Sequence, residues 1–500
     1  MPFPLMPKSD ISKQIGHLAL NTFDSLPKKC KPRVQPDGRQ EWTPMSSVIV
    51  SRPRPVPPNH EADTSFEHDL KIVALATGTK SLPVSLLPKC EGLVLHDCHA
   101  EILTLRGFNY WLLCEMERMV EGSGYVSPWL ELNTPSAEES CRLPFCFKPT
   151  VEVSLFSTEA PCGDASMELL MKAAEAAGQD VSPWAVPPAA GRPRDRNLET
   201  MLELESSEGL EHARLPPGRG YFSNLGALRR KPARADAEIS VSKSCTDKLM
   251  LKQAIGLLSF PLDLFIEKTD AAYLKRMVVY HDQYNEEGYQ RAFSAQGRLQ
   301  RVLEQQDEVQ SKYRFFQVNV LPEGFRRFDF QKIDGRSGSL IQEKKKPSNV
   351  PALWVAGGDG KDDVIEGLVN GVKQGYKQFD HRVSKASVVS RRRMLEKAIK
   401  IDQLLQKQGT RRRLPESLSL TTRYSEIKSM PERQQRGYLR QRTLSGLGGW
   451  PSKVLDDDFE ITLPSSSIDN SCPLCSHLPL LPHPGYGNLA DCLFVTSLST

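Results

Sequence analysis

Apolar residues recur along the first part of this chain at the spacing of an amphipathic helix. They stand at Ile11, Ile15, Leu18, Ala19, Phe23 and Leu26, and Pro27 follows them. The spacing predicts a helix over residues 11–26 whose apolar face packs on a core, and the proline predicts its end. Strands are predicted where apolar and β-branched residues concentrate or alternate with polar ones, at residues 42–50, 71–76, 151–156, 273–280 and 351–356.

After His99 the pattern changes to that of a long helix. Its buried face is predicted to carry Ile102, Phe108, Leu112, Leu113 and Met116. Further helices are predicted over residues 165–177, 249–265 and 385–406, from Arg291 onward, and in a last stretch that closes near Trp450. Turns are predicted at residues 366–367 and 370–375, where glycine follows a polar residue.

The composition divides the chain into unequal regions. Residues 1–40 are predicted to hold the N-terminal helix, and residues 41–460 one large folded domain. Within that domain, residues 178–234 are rich in Pro, Gly, Arg and Glu with weak periodicity, which predicts a flexible surface insertion. Residues 461–500 are rich in Ser and Pro and are predicted to be a disordered tail. The alternative for this tail is a small zinc knuckle built on Cys472, Cys475, His477 and His483, which the Pro-rich setting disfavours.

The charge of the chain is unevenly distributed. The net charge of the 500 residues is +4, but residues 381–413 contain eleven Lys or Arg and two Asp or Glu. A basic surface of this kind favours a phosphate-bearing partner. A solvated basic helix or a nuclear-import signal would leave the same pattern.

Composition also excludes several classes of protein. A hydrophobic content of 39% and a charged content of 25% are typical of a globular chain. The sequence has no apolar run of about 18 residues and no basic segment followed by an apolar one at its start, so neither a membrane span nor a secretory signal is expected. Its eleven cysteines are odd in number and irregularly spaced, which favours an intracellular protein, in the cytoplasm or nucleus, with some cysteines bound to metal.

Four residues in distinctive local settings carry the candidate chemistry. His99 and Glu101 stand at the predicted start of the long helix, Cys162 follows a predicted strand, and Cys245 precedes a predicted helix. One imidazole and two thiolates, with a fourth position open for water, are the ligands of a catalytic zinc. Separations of 63 and 83 residues between the three argue against a zinc finger, whose ligands come in close pairs.

Glu101 is too near His99 in sequence to be a comfortable further ligand, and we expect it to move protons instead. Zinc-activated water would attack a purine C6 or a pyrimidine C4, and Glu101 would deliver the proton to the departing ammonia. Taken singly, a histidine is usually structural and a buried cysteine behaves as a small hydrophobe. The three settings together favour a zinc deaminase.

The residues around these positions resemble the zinc-site motifs of the adenosine deaminases acting on RNA and their tRNA-specific relatives. The matching motifs are Asp97-Cys98-His99-Ala100-Glu101, Pro161-Cys162-Gly163-Asp164 and Ser244-Cys245-Thr246-Asp247-Lys248. The resemblance extends from Trp42 to Phe459, apart from the insertion. Small cytidine deaminases differ, because both of their cysteines lie in one Pro-Cys-x-x-Cys motif, where this chain has Ala165 at the second position. The resemblance implies an α/β fold, with a cytidine-deaminase-like mixed sheet, helices on both faces and a largely helical C-terminal part.

Two further stretches are similar to the tRNA-specific branch of this family. They are Pro161-Cys162-Gly163-Asp164-Ala165-Ser166 and Lys231-Pro232-x-Arg234-x-Asp236. This likeness implies conversion of adenosine to inosine next to the anticodon of alanine tRNA. Editing enzymes of double-stranded RNA carry a binding domain before the catalytic unit, and the 98 residues before His99 are expected to leave no room for one. The alternatives are A-to-I editing of double-stranded RNA and a non-catalytic RNA-binding protein with a structural zinc, against which the intact Glu101 argues.

The resemblance also implies a buried inositol hexakisphosphate. The matching positions are Arg106, Ser242, Lys248, Lys373, Tyr424, Lys428, Trp450, Lys453 and Asp457. The chain departs from the family pattern at Leu105, His96 and Leu251, which would leave the polyanion with fewer partners. Asp97 and Lys248 flank two of the zinc ligands and are expected to relay between the two sites through hydrogen bonds.

Contacts to the RNA are expected at two places. Thr79 and Lys80 resemble the family's substrate pocket and are expected to contact the target nucleotide. The basic segment is expected to hold the tRNA backbone through Arg391, Arg392, Arg393, Arg411, Arg412 and Arg413.

Overall fold

The computed structural model describes most of the chain, with gaps. The described residues are 10–34, 36, 38, 40–54, 68–122, 124–133, 143–176, 178, 215, 222, 224–231, 238, 240–304, 313–332, 345–358, 362–409, 422–429, 434–447, 450, 456 and 459–461. They belong to one compact unit, Met1–Thr462. The predicted tail with its possible zinc knuckle, and nearly all of the predicted insertion, lie outside the described residues.

Nine helices lie within the described residues. They are α1 (Ile11–Ser25), α2 (Ala100–Val120), α3 (Met167–Ala176), α4 (Cys245–Ile255), α5 (Glu286–Phe293), α6 (Gln300–Glu304), α7 (Arg391–Lys407), α8 (Tyr424–Lys428) and α9 (Gln434–Gly446). None of these helices is long and apolar enough to cross a membrane. Side-chain caps fix several of the helix starts: the side chain of Asp10 accepts from Ser12 N at 2.9 Å before α1, and Ser390 caps α7.

The described strands form one large sheet and three small pairs. They are β1 (Met45–Pro53), β2 (His68–Thr77), β3 (Thr79–Ser81), β4 (Asp97–His99), β5 (Leu130–Leu132), β6 (Phe145–Phe147), β7 (Glu152–Ser157), β8 (Leu274–Tyr280), β9 (Gln317–Leu321), β10 (Ala352–Val355), β11 (Val364–Val369), β12 (Val372–Lys373), β13 (Thr422–Arg423) and β14 (Glu460–Ile461). The large sheet has the order β12-β11-β10-β2-β1-β7-β8-β9. The β7–β8 and β8–β9 pairs are parallel and the other pairs antiparallel, so the predicted α/β fold with a mixed sheet is confirmed.

Helix α2 packs along the centre of this sheet, against β1, β2 and β10. Gly107 permits the close approach, because a Cβ there would lie 3.0 Å from the Ala74 Cβ and 3.1 Å from the Leu353 Cδ1. The buried side of α2 includes Phe108, Leu112 and Met116, as the spacing predicts. The start of α2 is therefore held at one fixed place above the sheet.

Several predicted element boundaries are wrong, for local reasons. The helix predicted over 249–265 begins at Cys245 and ends at Ile255, because Gly256 takes a φ of 74° that ends it. Residues 291–293 close α5 rather than open a helix. Glu366 and Gly367 lie inside β11 rather than in a turn. Of the turn predicted over 370–375, residues 372–373 form β12, and the chain turns on either side of that strand. The basic helix begins at Arg391 rather than near residue 385, because Ser390 caps it there.

Candidate metal centre and active site

Three chain segments bring the four chemically distinctive side chains together at helix starts. His99 ends β4 and is the N-cap of α2, so Glu101 lies in the first turn of that helix, as predicted. Cys162 follows β7 and precedes the helical turn that leads into α3. Cys245 is the first residue of α4, directly after its N-cap Ser244. The positive ends of the three helical segments therefore point toward a common region.

The distances between the candidate ligand atoms fit zinc. The Nδ1 of His99 lies 3.6 Å from the Sγ of Cys162 and 3.6 Å from the Sγ of Cys245. Zn–N bonds of about 2.0 Å and Zn–S bonds of about 2.3 Å, at tetrahedral angles, place nitrogen and sulfur ligands about 3.6 Å apart. All three atoms lie within 4.8 Å of one another. One nitrogen and two sulfurs in this arrangement can hold one zinc ion and leave a coordination position open.

Close contact between the two cysteine segments depends on Gly163. Its φ of +107° lies outside the region that L side chains prefer, and a Cβ there would lie 2.3 Å from the Oγ of Ser244. Thr246 ties the segments together, since its N–H donates to the Cys162 carbonyl at 3.0 Å and its hydroxyl to the Pro161 carbonyl at 3.1 Å. A glycine is required here so that both thiols can reach one ion.

The carboxylate of Glu101 points into the same region. Its side chain is 3% exposed, and its Oε2 lies 3.3 Å from the Sγ of Cys245. Burial, and next the charge of the Cys162 thiolate, raise the pKa of Glu101 above the usual range. A raised pKa makes a carboxylate a better proton acceptor, which suits a group that takes a proton and later returns it.

Asp97 stands at the centre of a buried ionic network beside the metal centre. It accepts from the Nζ of Lys231 at 3.0 and 2.9 Å, from the Oγ of Ser242 at 2.8 Å, and from the Nζ of Lys248. Burial alone would raise the pKa of Asp97, but the two ammonium groups hold it well below its usual range. Asp97 and Lys248 are thus in direct contact, while the relay predicted for them stays a prediction.

Lys231 is the residue at this centre whose position the sequence did not predict. It is 2% exposed, and besides Asp97 its Nζ donates to the Sγ of Cys245 at 3.3 Å. The neighbouring carboxylate and thiolates more than offset burial and raise the pKa of Lys231. Its only sequence signal is its place in the Lys231-Pro232-x-Arg234-x-Asp236 stretch, which gives no partner.

A second network, also missed from the sequence, fixes the start of α4. Asp247 is fully buried and accepts from the Oγ of Ser244 at 2.6 Å, from Arg298 at 2.7 Å and from Arg229 N at 2.9 Å. These contacts hold the turn that carries Cys245.

The two residues predicted to contact the substrate lie beside the metal centre. Strand β3 pairs antiparallel with β4, so that Thr79 is opposite His99 and Lys80 is opposite Cys98. Both side chains are partly exposed. Their position agrees with a contact to the target nucleotide, which stays a prediction.

Two residues of the predicted polyanion set, Arg106 and Tyr424, lie near each other, since the charge of each group affects the other. Arg106 is half-buried, and its guanidinium donates to the Val389 carbonyl. Burial and the nearby charge of Arg391 lower the pKa of Arg106 to about 10. Tyr424 is 4% exposed, stacks on Phe459 with ring centres 4.8 Å apart, and lies 5.9 Å from the Nζ of Lys428.

Lys373 and Trp450, two other residues of the predicted polyanion set, contact other parts of the chain. The Nζ of Lys373 donates to the Ser384 carbonyl at 3.1 Å and lies 3.6 Å from the carboxylate of Glu366. Trp450 lies under the Nζ of Lys243, 5.5 Å from the ring centre. Lys453 and Asp457 lie outside the described residues.

The basic helix α7 faces acidic side chains along much of its length. Lys397 and Lys400 both pair with Glu117 of α2, and Arg391 lies 3.2 Å from Asp456. The predicted contacts of this segment with a tRNA backbone stay a prediction, and its residues 411–413 lie outside the described residues.

Glu159, three residues before Cys162, should make the stability of the protein depend on pH. Burial, only partly offset by the Lys332 N–H at 3.3 Å, raises the pKa of Glu159 to about 7. A folded-state pKa above the unfolded value gives stability that is complete at low pH and is lost as the pH rises through about 7. Glu159→Gln removes this loss. We therefore expect the substitution to increase the free energy of unfolding at both pH values, and by about 1–2 kcal/mol more at pH 8 than at pH 5. This figure includes a discount for the partial exposure of the Glu159 side chain.

Urea unfolding of both proteins at the two pH values measures this difference. The control is Glu117→Gln, because burial is outweighed there by Lys397 and Lys400, which lower the pKa of Glu117. Glu117→Gln should instead lower the free energy of unfolding, and it should lower it more at pH 8 than at low pH. Equal effects of Glu159→Gln at both pH values would contradict the expectation.

Comparison with known proteins agrees with this geometry. Residues 74–454 match the family model described as the adenosine-deaminase (editase) domain. The chain is 31% identical over 404 residues to the tRNA-specific adenosine deaminase 1 of Schizosaccharomyces pombe, which covers 81% of this chain and 89% of that protein. It is 31% identical over 260 residues to the protein of the same name from Saccharomyces cerevisiae, covering 51% of this chain and 55% of that one. The protein of that name from Drosophila melanogaster is 30% identical over 265 residues, 52% of this chain and 53% of its own length.

Proposed function

This chain belongs to the adenosine-deaminase (editase) domain family, and on that premise we propose that it converts adenosine to inosine in tRNA by zinc-dependent hydrolysis. The observation that carries the proposal is the position of Glu101, a buried carboxylate 3.3 Å from a thiol of the His99, Cys162 and Cys245 cluster. A purely structural zinc site would not need an acid with a raised pKa beside its ligands.

His99, Cys162 and Cys245 would hold the zinc ion. When bound, the ion supplies Lewis-acid chemistry, which makes water acidic enough to act as a nucleophile near neutral pH. A zinc charge also accounts for two thiols placed side by side in a buried position, since both can then be thiolates.

Glu101 is proposed to carry the proton through the reaction. Its carboxylate takes a proton from the attacking water and gives it to the nitrogen that leaves C6 of the adenine as ammonia. Lys231, which donates to the Cys245 sulfur, keeps a positive charge next to that ligand. Thr79 and Lys80, beside His99 in the β3–β4 pair, are proposed to contact the nucleotide whose base enters the site.

We further propose that the substrate is alanine tRNA and that the deaminated residue is the adenosine 3′ of its anticodon. The reaction would take place inside the cell. A base in the anticodon loop is already partly free of its stack, so it can enter a recessed site at low cost. The test is inosine formation by the purified protein on individual tRNA species and on a double-stranded RNA. Inosine in alanine tRNA alone supports the proposal, whereas editing of the duplex alone, or no deamination of any RNA, contradicts it.

Half-buried cations near Asp97 support a bound inositol hexakisphosphate as a structural cofactor. Arg391 lies close enough to Arg106 to disfavour its charge, and Asp97, which also affects the charge of Arg106, is paired with Lys248. Gathering cations inside a protein is costly unless anions neutralise them. A polyphosphate reaching Arg106, Lys248, Tyr424 and Lys428 would supply that negative charge.

Arg106→Gln tests the polyanion through the inositol phosphate that the protein releases and through its thermal stability. With the polyanion present, removing this cation should lower the thermal unfolding midpoint by several degrees and lower the inositol phosphate released on acid denaturation from about one per chain. Without a polyanion, neither protein would release inositol phosphate, and the midpoint would fall only by the loss of the hydrogen bonds to the Val389 carbonyl. Lys13→Gln, on an exposed position of α1, is the control and should change neither quantity.

A further inference from the structure

A second group of metal-binding side chains lies apart from the candidate active site. Among the described residues, Cys90, His96 and Asp456 place their ligand atoms within 4.8 Å of one another, the same limit that the His99 cluster satisfies. All three are buried, with exposed fractions of 1%, 8% and 6%. One thiol, one imidazole and one carboxylate together bind zinc in preference to calcium or magnesium.

We propose that Cys90, His96 and Asp456 bind a second zinc ion, which has a structural role. Three protein ligands would leave one coordination position for water. The thiolate of Cys90 and the carboxylate of Asp456 together balance the two positive charges of the ion. No group of the candidate active site takes part in this second site.

Other contacts already orient Asp456 as a ligand. Its Oδ1 accepts from the Gly92 N–H at 3.0 Å, while Arg391 donates to its Oδ2 at 3.2 Å and to its carbonyl at 2.8 Å. Donors of this kind fix the direction of a metal-bound carboxylate and are common behind such ligands. The ligand is therefore placed before any ion arrives.

A tight turn brings the other two ligands to Asp456. The Leu93 N–H donates to the Cys90 carbonyl at 2.8 Å, and Glu91 and Gly92 take positive φ values of 46° and 69°. This folds the chain back so that His96 Nε2 lies 2.6 Å from Asp456 Oδ2. Nitrogen and oxygen ligands of tetrahedral zinc are about 3.4 Å apart, so the ion would replace the shared proton and open this pair by roughly 0.8 Å.

Proton release accompanies this exchange. Cys90, whose thiol donates to the Leu86 carbonyl at 3.2 Å, loses its proton to solvent, and His96 binds the ion through an Nε2 that carries no proton. The ion would then join the segment before β4 to Asp456, across a sequence separation of about 360 residues. The bound metal should therefore stabilise the folded chain.

Metal content of the whole purified protein tests the proposal. Elemental analysis after gel filtration in zinc-free buffer should give about two zinc ions per chain for the wild type. Cys90→Ser should give about one, retain deamination and unfold at a lower temperature. Cys245→Ser should also give about one, but without deamination, which separates this site from the proposed catalytic one.

Cys30→Ser is the matched control, because Cys30 is equally buried and lies outside both clusters. It should keep about two zinc ions. A wild-type content of one zinc per chain would overturn the proposal without any variant, and His96 and Asp456 would then be an ordinary buried ion pair. Two zinc ions in Cys90→Ser would overturn it as well.

Discussion

Glu101→Gln is expected to lower the rate of inosine formation at least a hundredfold while the protein stays folded and keeps its zinc. Glutamine has nearly the shape of glutamate, so the contact of its side chain with the Cys245 sulfur can persist. It cannot take a proton from water, and a positioned general acid–base group contributes about 10²–10⁴-fold to a rate. Single-turnover deamination of a purified tRNA, with zinc content and tRNA affinity measured on the same preparation, checks this.

The matched control is Glu121→Gln, at the opposite end of the same helix. Glu121 is exposed and pairs with Lys400, far from the metal cluster, so its loss should leave the rate within about twofold. Wild-type activity in Glu101→Gln would show that another group moves the proton. Loss of zinc in that variant would instead make Glu101 a ligand.

Lys231→Met is expected to be the most destabilising single substitution near the site. It leaves the buried carboxylate of Asp97 with the Ser242 hydroxyl, the Lys248 ammonium and the His99 N–H as donors, and removes a donor from the Cys245 sulfur. Breaking a buried ion pair from one side costs about 3–5 kcal/mol, and losing a contact behind a metal ligand lowers metal affinity about 10–100-fold. Chemical unfolding and zinc titration with a competing chelator measure the two effects.

Two further variants separate the ion pair from simple loss of a lysine. Lys252→Met removes a cation of α4 whose Nζ donates to the Leu257 carbonyl and to the Ser259 hydroxyl, and it should cost less than about 1 kcal/mol. The double variant Lys231→Met with Asp97→Asn should be more stable than the sum of its single changes, because neither partner then remains as a buried charge. Additive effects would contradict a direct pair.

The sequence predicted those features that depend on residue type in a local setting. His99, Cys162 and Cys245 each stand at a recognisable junction, so their gathering could be expected without knowing the path of the chain. The helix α2 and strands β1, β2, β7, β8 and β10 were predicted for a similar reason, because their apolar patterns are long and regular. Strand β11 was not, since Glu366 and Gly367 resemble a turn when the neighbouring β10 and β12 are unknown.

What the sequence could not give were the partners of buried charges. Lys231 and Asp97 are 134 positions apart, and Lys397 and Glu117 are 280 apart, so neither pair leaves a local pattern. The basic character of α7 suggested a surface for nucleic acid, yet the fold places acids of α2 against part of it. Charge density along a sequence therefore reports how many cations are present, and only the packed chain decides which of them remain open to a ligand.

The parallel pairing of β7 with β8 has a consequence for how the protein is made. Cys162 follows the first of these strands and Cys245 lies on the crossover that leads to the second, so the proposed metal-binding set spans 146 residues of chain from His99 onward. A growing polypeptide that has left the ribosome only as far as α3 holds two of the three donors, with an incomplete sheet beneath them. Loading with zinc would thus be a late event in biosynthesis, and a translation product that stops before α4 should emerge without the metal.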